Sequence, residues 1–560
     1  MKIWKQKEID KKIFDTFVAS GKSPLASAII ATRKVKIDDA DKLKAFISPN
    51  IRQIEDSSNI YGLSGMAEII FKNKYSSVAI FGDYDVDGIF STFMLGEILK
   101  ACGTKSIIPI IPDRMKDGYG LNDKSVKTIC KRVKDCKIDA VFFLDCGTNS
   151  KEYVDIIKKK IGNPDVLIVD HHIVDKDSFS SNATAIVNHR MGDRSSAYCT
   201  AALVYFLSKE MQKFGINMTE DMLPYAAIGS IADVSDLDIN NRIIVYNGLK
   251  RLKKIKNVGI GELIKVCGID AENCKVEDIS FKLAPRINAN GRVDRAEFAL
   301  ELLHCEDEEE AFQKSIKIDS LNDARKKHQK RIFSEALEQI DDNPNRESVL
   351  VYNKNWKSGV VGIVASKLVE KFGVPALVFG GEDEIKGSGR SVGEINIKEV
   401  MDIVPHLFVR YGGHEMAAGA SLNRESLKTA AEDFDKAVSE YKKKHKIHGV
   451  VIEYDIKLKN STFRKIDNSF CQNIHKFEPF GQGNENILFR VNDVYCKSVK
   501  EWGSGSGGFV EIEGLKMDCF VYEQNSSKLS DTKLDILFQI ERNFKDDEDW
   551  AVVIREYIKK

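Results

Sequence analysis

Ser77-Val-Ala-Ile-Phe-Gly-Asp-Tyr-Asp-Val-Asp-Gly88 decides the fold. A short apolar run of β-type residues passes directly into three carboxylates spaced two apart and closed by a glycine. The construction recurs in Ala140-Val-Phe-Phe-Leu-Asp-Cys-Gly147 and in Asp165-Val-Leu-Ile-Val-Asp-His-His172. Short, continuous apolar runs separated by amphipathic stretches read as strands of a parallel sheet covered on both faces. In such a sheet the carboxyl ends of all strands lie on one edge, where α/β proteins place their sites. Asp83, Asp85, Asp87, Asp145, Asp170, His171 and His172 therefore converge. Crowded carboxylates raise one another's pKa values and resist ionisation. Divalent cations relieve that repulsion. Carboxylate oxygen with imidazole nitrogen suits Mn²⁺ or Mg²⁺, and the lack of a thiolate set argues against structural zinc.

Each motif alone has an ordinary reading. The DxDxDG pattern also fits a turn or a Ca²⁺ loop, although no Glu stands at the twelfth loop position and the loop follows a strand. Asp145 alone reads as a helix N-cap, and the histidine pair as a structural pair. Their joint placement at three strand ends favours a site.

Outward from these motifs, the 560 residues have an ordinary globular composition, 43% hydrophobic and 30% charged, enough for three or four domains. Lys+Arg and Asp+Glu both number 84, which excludes a bulk polycation and makes any basic surface local. The apolar runs are far below the roughly 18 residues a membrane helix needs. The opening MKIWKQKEIDKK lacks an apolar core, so no signal peptide is expected. Eleven cysteines without a CxxC pair suggest reduced thiols and a cytoplasmic location.

Residues 1–58 read as a helical segment and 59–305 as the first α/β lobe. Residues 306–345 lack Gly between 306 and 343, lack Pro over the same span, and are densely charged, which predicts a long linking helix. A second α/β block covers 346–448. Beyond 449, the short strands Val450–Ile456, Ile487–Val491, Phe509–Ile512 and Leu534–Phe538 predict a small β-barrel.

The motifs Gly82–Gly88 and Asp170-His-His172, followed by Ser230-Ile-Ala-Asp233, resemble the DHH phosphoesterase superfamily. Pro285-Arg-Ile-Asn-Ala-Asn-Gly-Arg292, Gly359-Val-Val-Gly362, Gly387-Ser-Gly-Arg390, Gly412-Gly-His414 and Pro479-Phe-Gly-Gln-Gly-Asn484 narrow the likeness to its RecJ-type exonuclease branch. The likeness covers residue 60 to the end. It implies two α/β lobes, of DHH and DHHA1 type, joined by a long helix and followed by an OB-type barrel. It further implies a metal-dependent 5′→3′ exonuclease that releases 5′-mononucleotides from single-stranded DNA in repair and recombination. A single-strand-binding protein or a helicase is the kind of protein partner this implies. No membrane partner is expected.

Carried onto this sequence, the resemblance implies two Mn²⁺ or Mg²⁺ ions. Asp85 and Asp87 serve separate ions, Asp145 bridges them, and His171 and Asp233 complete the set. Asp83 and Asp170 are auxiliary and orient the others. His172 stands beside the scissile phosphate as proton donor or charge stabiliser. Arg114, Ser388 and Arg390 hold the 5′-terminal phosphate, Tyr119 offers a face for a base, and His414 touches the scissile phosphate. Arg286, Asn288 and Arg292 contact the strand's backbone. Gly359 and Gly362 precede a helical stretch from Ile363 and can present backbone N–H groups to phosphate. Arg325, Lys326, Lys327, Lys330 and Arg331 offer a cationic helix face, which reads equally as solvated surface. The alternatives are a DHH-family phosphodiesterase for short oligonucleotides or cyclic dinucleotides, and a binding protein without catalysis. The residues beyond 450 favour a polymer, and the complete set of ligand types favours catalysis.

Overall fold

The computed structural model describes residues 2–560 except Lys34, Lys36, Met115, Asp193–Ser195, Asp294, Asp342, Pro344, Ser504, Gly505, Gln524, Phe544 and Lys545. It also leaves out the side chains of Arg292, Val293 and 546–548. The first lobe is built on a wholly parallel sheet. In spatial order its strands are Ser106–Ile110, Ser77–Gly82, Ala140–Leu144, Asp165–Val169 and Ala185–Val187. Alternate residues of a strand face opposite layers. Val78, Ile80, Phe142 and Leu144 pack with the helices Leu63–Asn73, Val86–Ala101 and Thr200–Met211. Ala79, Phe81, Val141 and Phe143 pack with Asp123–Arg132 and Lys151–Ile161. Burial on both faces is why these runs are apolar throughout.

The chain runs outward from Ser77–Gly82 to one neighbour and then crosses back to the other side. The strand order thus reverses between Ser77–Gly82 and Ala140–Leu144, whose carboxyl ends flank the crevice where open α/β sheets bind ligands.

Glu308–Glu338 is one helix of 31 residues. Asp307 caps it by accepting the Glu310 N–H at 2.8 Å, and Glu308, Glu309 and Glu310 complement the positive end of its dipole. The second lobe has a mixed sheet in the order Phe408–Gly413, Ala417–Leu422, Lys386–Arg390, Ala376–Gly380 and Val349–Asn353. Helix Ser358–Phe372 packs on it. That helix starts at Ser358, so Gly362 lies within it and not in a loop before Ile363 as the sequence reading expects.

The C-terminal unit is a closed barrel of OB type. Phe489–Glu501 pairs along one half with Gly508–Ile512 and along the other with Thr532–Asn543, which closes the sheet.

The N-terminal segment is not wholly helical. Lys2–Gln6 is a strand that pairs in parallel with Val450–Tyr454. Its partner is more than four hundred residues away, so nothing in the local pattern reveals it. The helices that follow pack on the barrel. Phe17, Ile29, Ile30 and Phe46 share one core with Phe463, Phe489 and Phe538. Arg242 of the first lobe fastens this junction. It is buried against the Phe46 ring and donates to the carbonyls of Phe46 at 2.6 Å and Pro479 at 2.8 Å, and to that of Glu478. No helix among the described residues is long and apolar enough to cross a membrane.

Candidate metal centre

Strand Ser77–Gly82 ends in Asp83, and Asp85 caps the following helix by accepting the Gly88 N–H at 3.1 Å. Gly88 must lack a side chain, since a Cβ there would lie 2.4 Å from the Asp83 carbonyl oxygen. This close approach folds the loop back so that its carboxylates share one crevice. Asp145 follows the next strand with φ +60°, a left-handed conformation that Asp tolerates better than most side chains. Its backbone N–H donates to the Val169 carbonyl at 3.0 Å.

Two groups of ligand atoms result. Asp83, Asp85 and Asp145 offer carboxylate oxygens within 4.8 Å of one another, and Asp145, His171 and His172 bring a carboxylate oxygen and two ring nitrogens equally close. Asp145 belongs to both. His171 Nε2 lies 3.1 Å from Asp145 Oδ1, and its Nδ1 lies 3.8 Å from Asp233 Oδ2. Asp233 reaches the site as the C-cap of helix Thr219–Ala232. Asp87 is buried, and its two oxygens accept the N–H groups of Thr200 and Ala201, each at 2.7 Å, at the start of helix Thr200–Met211. Outside the closest groups, it is held in place by that helix end.

The electrostatics are those of a cation site. Burial, and then Asp85, push Asp83 up to about 8. Burial followed by Asp87 and Asp85 does the same to Asp233. Asp145 is raised well above the carboxylate range by burial and by Asp87, Asp85, Asp83 and Asp170. Asp83 Oδ1 is buried with no hydrogen-bond donor. An enclosed carboxylate oxygen with no donor, among like charges, calls for a bound cation. The oxygen-rich donor set with one or two imidazoles fits Mn²⁺ or Mg²⁺.

Asp170 behaves differently. Burial opposes its ionisation, but the His172 imidazole and the Thr148 N–H at 2.9 Å hold it below the usual range. It also accepts the backbone N–H groups of His171 and His172. Burial works against protonating His172, yet its 2.7 Å bond to Asp170 raises its pKa overall. The far ring nitrogen, Nε2, lies 2.6 Å from the Tyr119 hydroxyl. Tyr119, read from sequence as a base platform, thus has its hydroxyl on the imidazole, while the residue stays 55% exposed.

Across the cleft, Arg390 NH1 donates to Ser388 Oγ at 2.8 Å and to the Gly389 carbonyl at 2.7 Å. Gly362 gives them room: a Cβ there would stand 3.1 Å from Ser388 Oγ and 3.3 Å from Arg390 NH2. Arg114, stacked 5.0 Å over Tyr84, is close enough to lower the pKa of Arg390 after burial has done so. His414 is exposed at the end of its strand, its N–H on the Ala417 carbonyl.

Other candidates are committed elsewhere. Arg286 pairs with Asp319 of the linking helix at 2.8 Å. Asn288 Oδ1 accepts the Val86 N–H at 3.1 Å and so holds the carboxylate loop. Arg292 lies on helix Ala284–Val293, with its side chain outside the described residues. Arg325 is half-buried beside Arg286, off the exposed face that carries Lys326, Lys327 and Lys330.

Several residues escaped the sequence reading. Asn188 Nδ2 donates to the His172 carbonyl at 3.0 Å, and Arg190 Nε to the His171 carbonyl at 2.7 Å. Both follow the fifth strand, Ala185–Val187, which is too short to be recognised by pattern. Thr200 and Thr148 supply the N–H groups described above.

Known proteins share this architecture. Residues 77–230 match the DHH family, N-terminal domain, 346–443 the DHHA1 domain and 455–556 the RecJ OB domain. The single-stranded-DNA-specific exonuclease RecJ of Bacillus subtilis is 32% identical over 415 residues, which cover 72% of this chain and 51% of that protein. The chain thus spans about half the length of that relative. The exonuclease RecJ of Salmonella typhimurium is 30% identical, covering 70% of this chain and 71% of the relative. A crystal structure of RecJ from Thermus thermophilus in complex with Mn²⁺ superposes with a TM-score of 0.81 at 21% identity, over 100% of this chain and 79% of that one. A second RecJ structure, bound to manganese, is 26% identical with a TM-score of 0.59, over 68% of this chain and 95% of that one. With three domain matches in order and a 30% identical relative covered over most of its length, the chain belongs to the RecJ family.

Proposed function

We propose that the protein is a metal-dependent 5′→3′ exonuclease that hydrolyses single-stranded DNA to 5′-mononucleotides, in DNA repair and recombination. The observation that carries this reading is Asp145, shared by two ligand groups, with Arg114 close enough to act on both Asp83 and Arg390 of the Ser388–Arg390 pair. Asp83, Asp85, Asp145, His171 and Asp233 would hold two Mn²⁺ or Mg²⁺ ions, with Asp87 anchored to a helix start beside them. When bound, such ions supply an activated water and neutralise charge on the phosphoryl oxygens.

The chain's own residues do the rest. Asp170 keeps the His172 ring oriented with Nε2 toward the cleft and favours its protonated form. His172 gives that proton to the 3′ oxygen that leaves as the P–O bond breaks. Ser388, Arg390 and Arg114 grip the doubly charged terminal phosphate. His414 serves the phosphate under attack, and Tyr119 releases Nε2 as the strand enters. Cleavage on this side leaves a new 5′ phosphate on the shortened strand, which fits the same grip for the next cycle. Two walls, one for the end and one for the scissile bond, set the step at one nucleotide. The barrel supports a polymer substrate, as OB folds commonly track single strands. Single-strand-binding protein or a helicase is the fitting protein partner, and the cytoplasm the fitting location.

The test is Mn²⁺-dependent release of mononucleotides from a 5′-phosphorylated single strand, compared with a duplex and with cyclic and linear dinucleotides. Activity confined to the dinucleotides would replace this reading with that of a small-substrate phosphodiesterase.

A further inference from the structure

The strand that carries Ser388 and Arg390 does not end its functional face there. Lys386, Ser388 and Arg390 alternate with glycines and point to one side of the sheet. The neighbouring strand aligns Ser421, Gly419 and Ala417 with them, and the next aligns Arg410 with Ser421 and Gly412 with Gly419. The face therefore has a direction. Arg390 and Ala417, with His414 beyond, lie at one end, and Lys386, Ser421 and Arg410 at the other.

A cavity of 440 Å³ opens at this second end. Arg114, Lys386 and Arg410 line it, and its lining contains no carboxylate. Its floor is bare backbone, since a Cβ at Gly412 or Gly419 would meet nothing within 4 Å. Tyr411 also lines it, but its ring packs beside Phe408 and its hydroxyl donates to Asp402 at 2.9 Å; bare backbone beside cations suits a compact polyanion.

We propose that the 5′-end site continues into a second anion subsite, formed by Lys386, Arg410 and Ser421, which takes the outer phosphates of a 5′-triphosphorylated strand. This rests on the reading of Ser388 and Arg390 as the grip on the first phosphate. From that grip, the scissile bond lies toward His414, so phosphates added to the 5′ end extend the other way. Lys386 is two residues from Ser388, about 7 Å along the strand, a span that two further phosphates bridge.

Glu384 holds the two cations in place meanwhile. It pairs with Arg410 at 2.5 Å and with Lys386 at 2.9 Å, while Arg410 Nε donates to Ser421 Oγ at 3.3 Å. Ser421 Oγ in turn lies 3.4 Å from Glu384. All three charged side chains are about half exposed or more, and exposed pairs of this kind contribute little. One carboxylate against Lys386, Arg410, Arg390 and Arg114 leaves the face cationic, so a polyphosphate displaces Glu384 at small cost.

The experiment compares one oligonucleotide bearing a 5′ triphosphate, monophosphate or hydroxyl, using the full chain and its Lys386→Ala/Arg410→Ala variant. The wild type should degrade the triphosphorylated strand at close to its monophosphate rate. The variant should lose roughly tenfold or more on the triphosphate, the worth of one charge-assisted hydrogen bond, and keep its monophosphate rate. Calorimetry with inorganic tripolyphosphate should show tighter binding than orthophosphate in the wild type and equal binding in the variant. A wild type that stalls on the triphosphate while degrading the monophosphate overturns the subsite, as does a variant that loses both equally. If no strand is degraded, the exonuclease reading fails, and tripolyphosphate binding still decides the subsite: no preference over orthophosphate overturns it.

Discussion

Leu237 donates its backbone N–H to the carbonyl of Gln482 at 2.7 Å. This bond joins the barrel's entry loop to the turn that follows Asp233. The turn is demanding: Val234 has φ +56°, rare for a β-branched residue. Ser235 Oγ donates to Asp233 Oδ2 at 3.3 Å, and Asn241 Nδ2 to the Asp236 carbonyl at 2.9 Å. The barrel's entry loop therefore braces Asp233, a candidate metal ligand. Removing residues from about 450 onward should then weaken hydrolysis even of very short substrates.

Gly481 tests the brace. A Cβ there would lie 2.8 Å from Leu237 Cδ1, so Gly481→Leu should push the turn away. The Mn²⁺ concentration for half-maximal activity should rise about three- to tenfold, roughly 0.7–1.4 kcal/mol. Affinity for a long strand should hold. Unchanged Mn²⁺ dependence would show that the turn stands without the loop.

Asp145→Asn should reduce hydrolysis to below about a tenth of wild type, because one carboxylate serves both ligand groups. Asn tolerates the left-handed backbone that Asp145 adopts, so the fold should persist. In metal-free buffer near neutral pH, the variant should melt higher than wild type, since one member of a buried like-charge cluster is gone. A lower melting temperature would mean that Asp145 is a structural anchor.

The pH dependence of the metal-free protein follows from Asp83 and Asp233, both raised to about 8. Between the ordinary carboxylate pKa and 8, the folded state binds more protons than the unfolded state. Stability must then fall as pH rises through this window. Thermal melts from pH 5 to 8 in chelator should decline, and saturating Mn²⁺ should flatten or reverse the trend. A chelated protein that gains stability over this range would contradict the raised pKa values.

Arg390→Ala should cost about 1.5–3 kcal/mol, a charge-assisted hydrogen bond, hence roughly ten- to a hundredfold on 5′-phosphorylated strands. Strands with a 5′ hydroxyl should suffer much less. Rates on the same oligonucleotide with and without the phosphate decide it. Equal losses would assign Arg390 to the scissile phosphate or to the fold.

Much of the carboxylate and histidine cluster was legible because three strands are buried on both faces and end in carboxylate. Their apolar runs stand out, and parallel topology gathers their ends. The brace by Gln482 and the capping of Tyr119 on His172 depend on distant segments meeting, which no local pattern encodes. The N-terminal strand failed for the same reason. Arg286 and Asn288 were recognisable as part of a motif, but only the fold shows that their side chains hold Asp319 and Val86. Arg325 looked like a member of a basic face, and helix packing turned it inward.

The pairing of Lys2–Gln6 with Val450–Tyr454, and the core that Phe17, Ile29 and Phe46 share with the barrel, bear on synthesis. On the ribosome these early helices emerge with their apolar faces bare and stay so until the barrel has been translated. The two lobes between them can fold first, domain by domain. The beginning of the chain is then among the last parts to settle, and during that interval it is the segment most in need of a chaperone's cover.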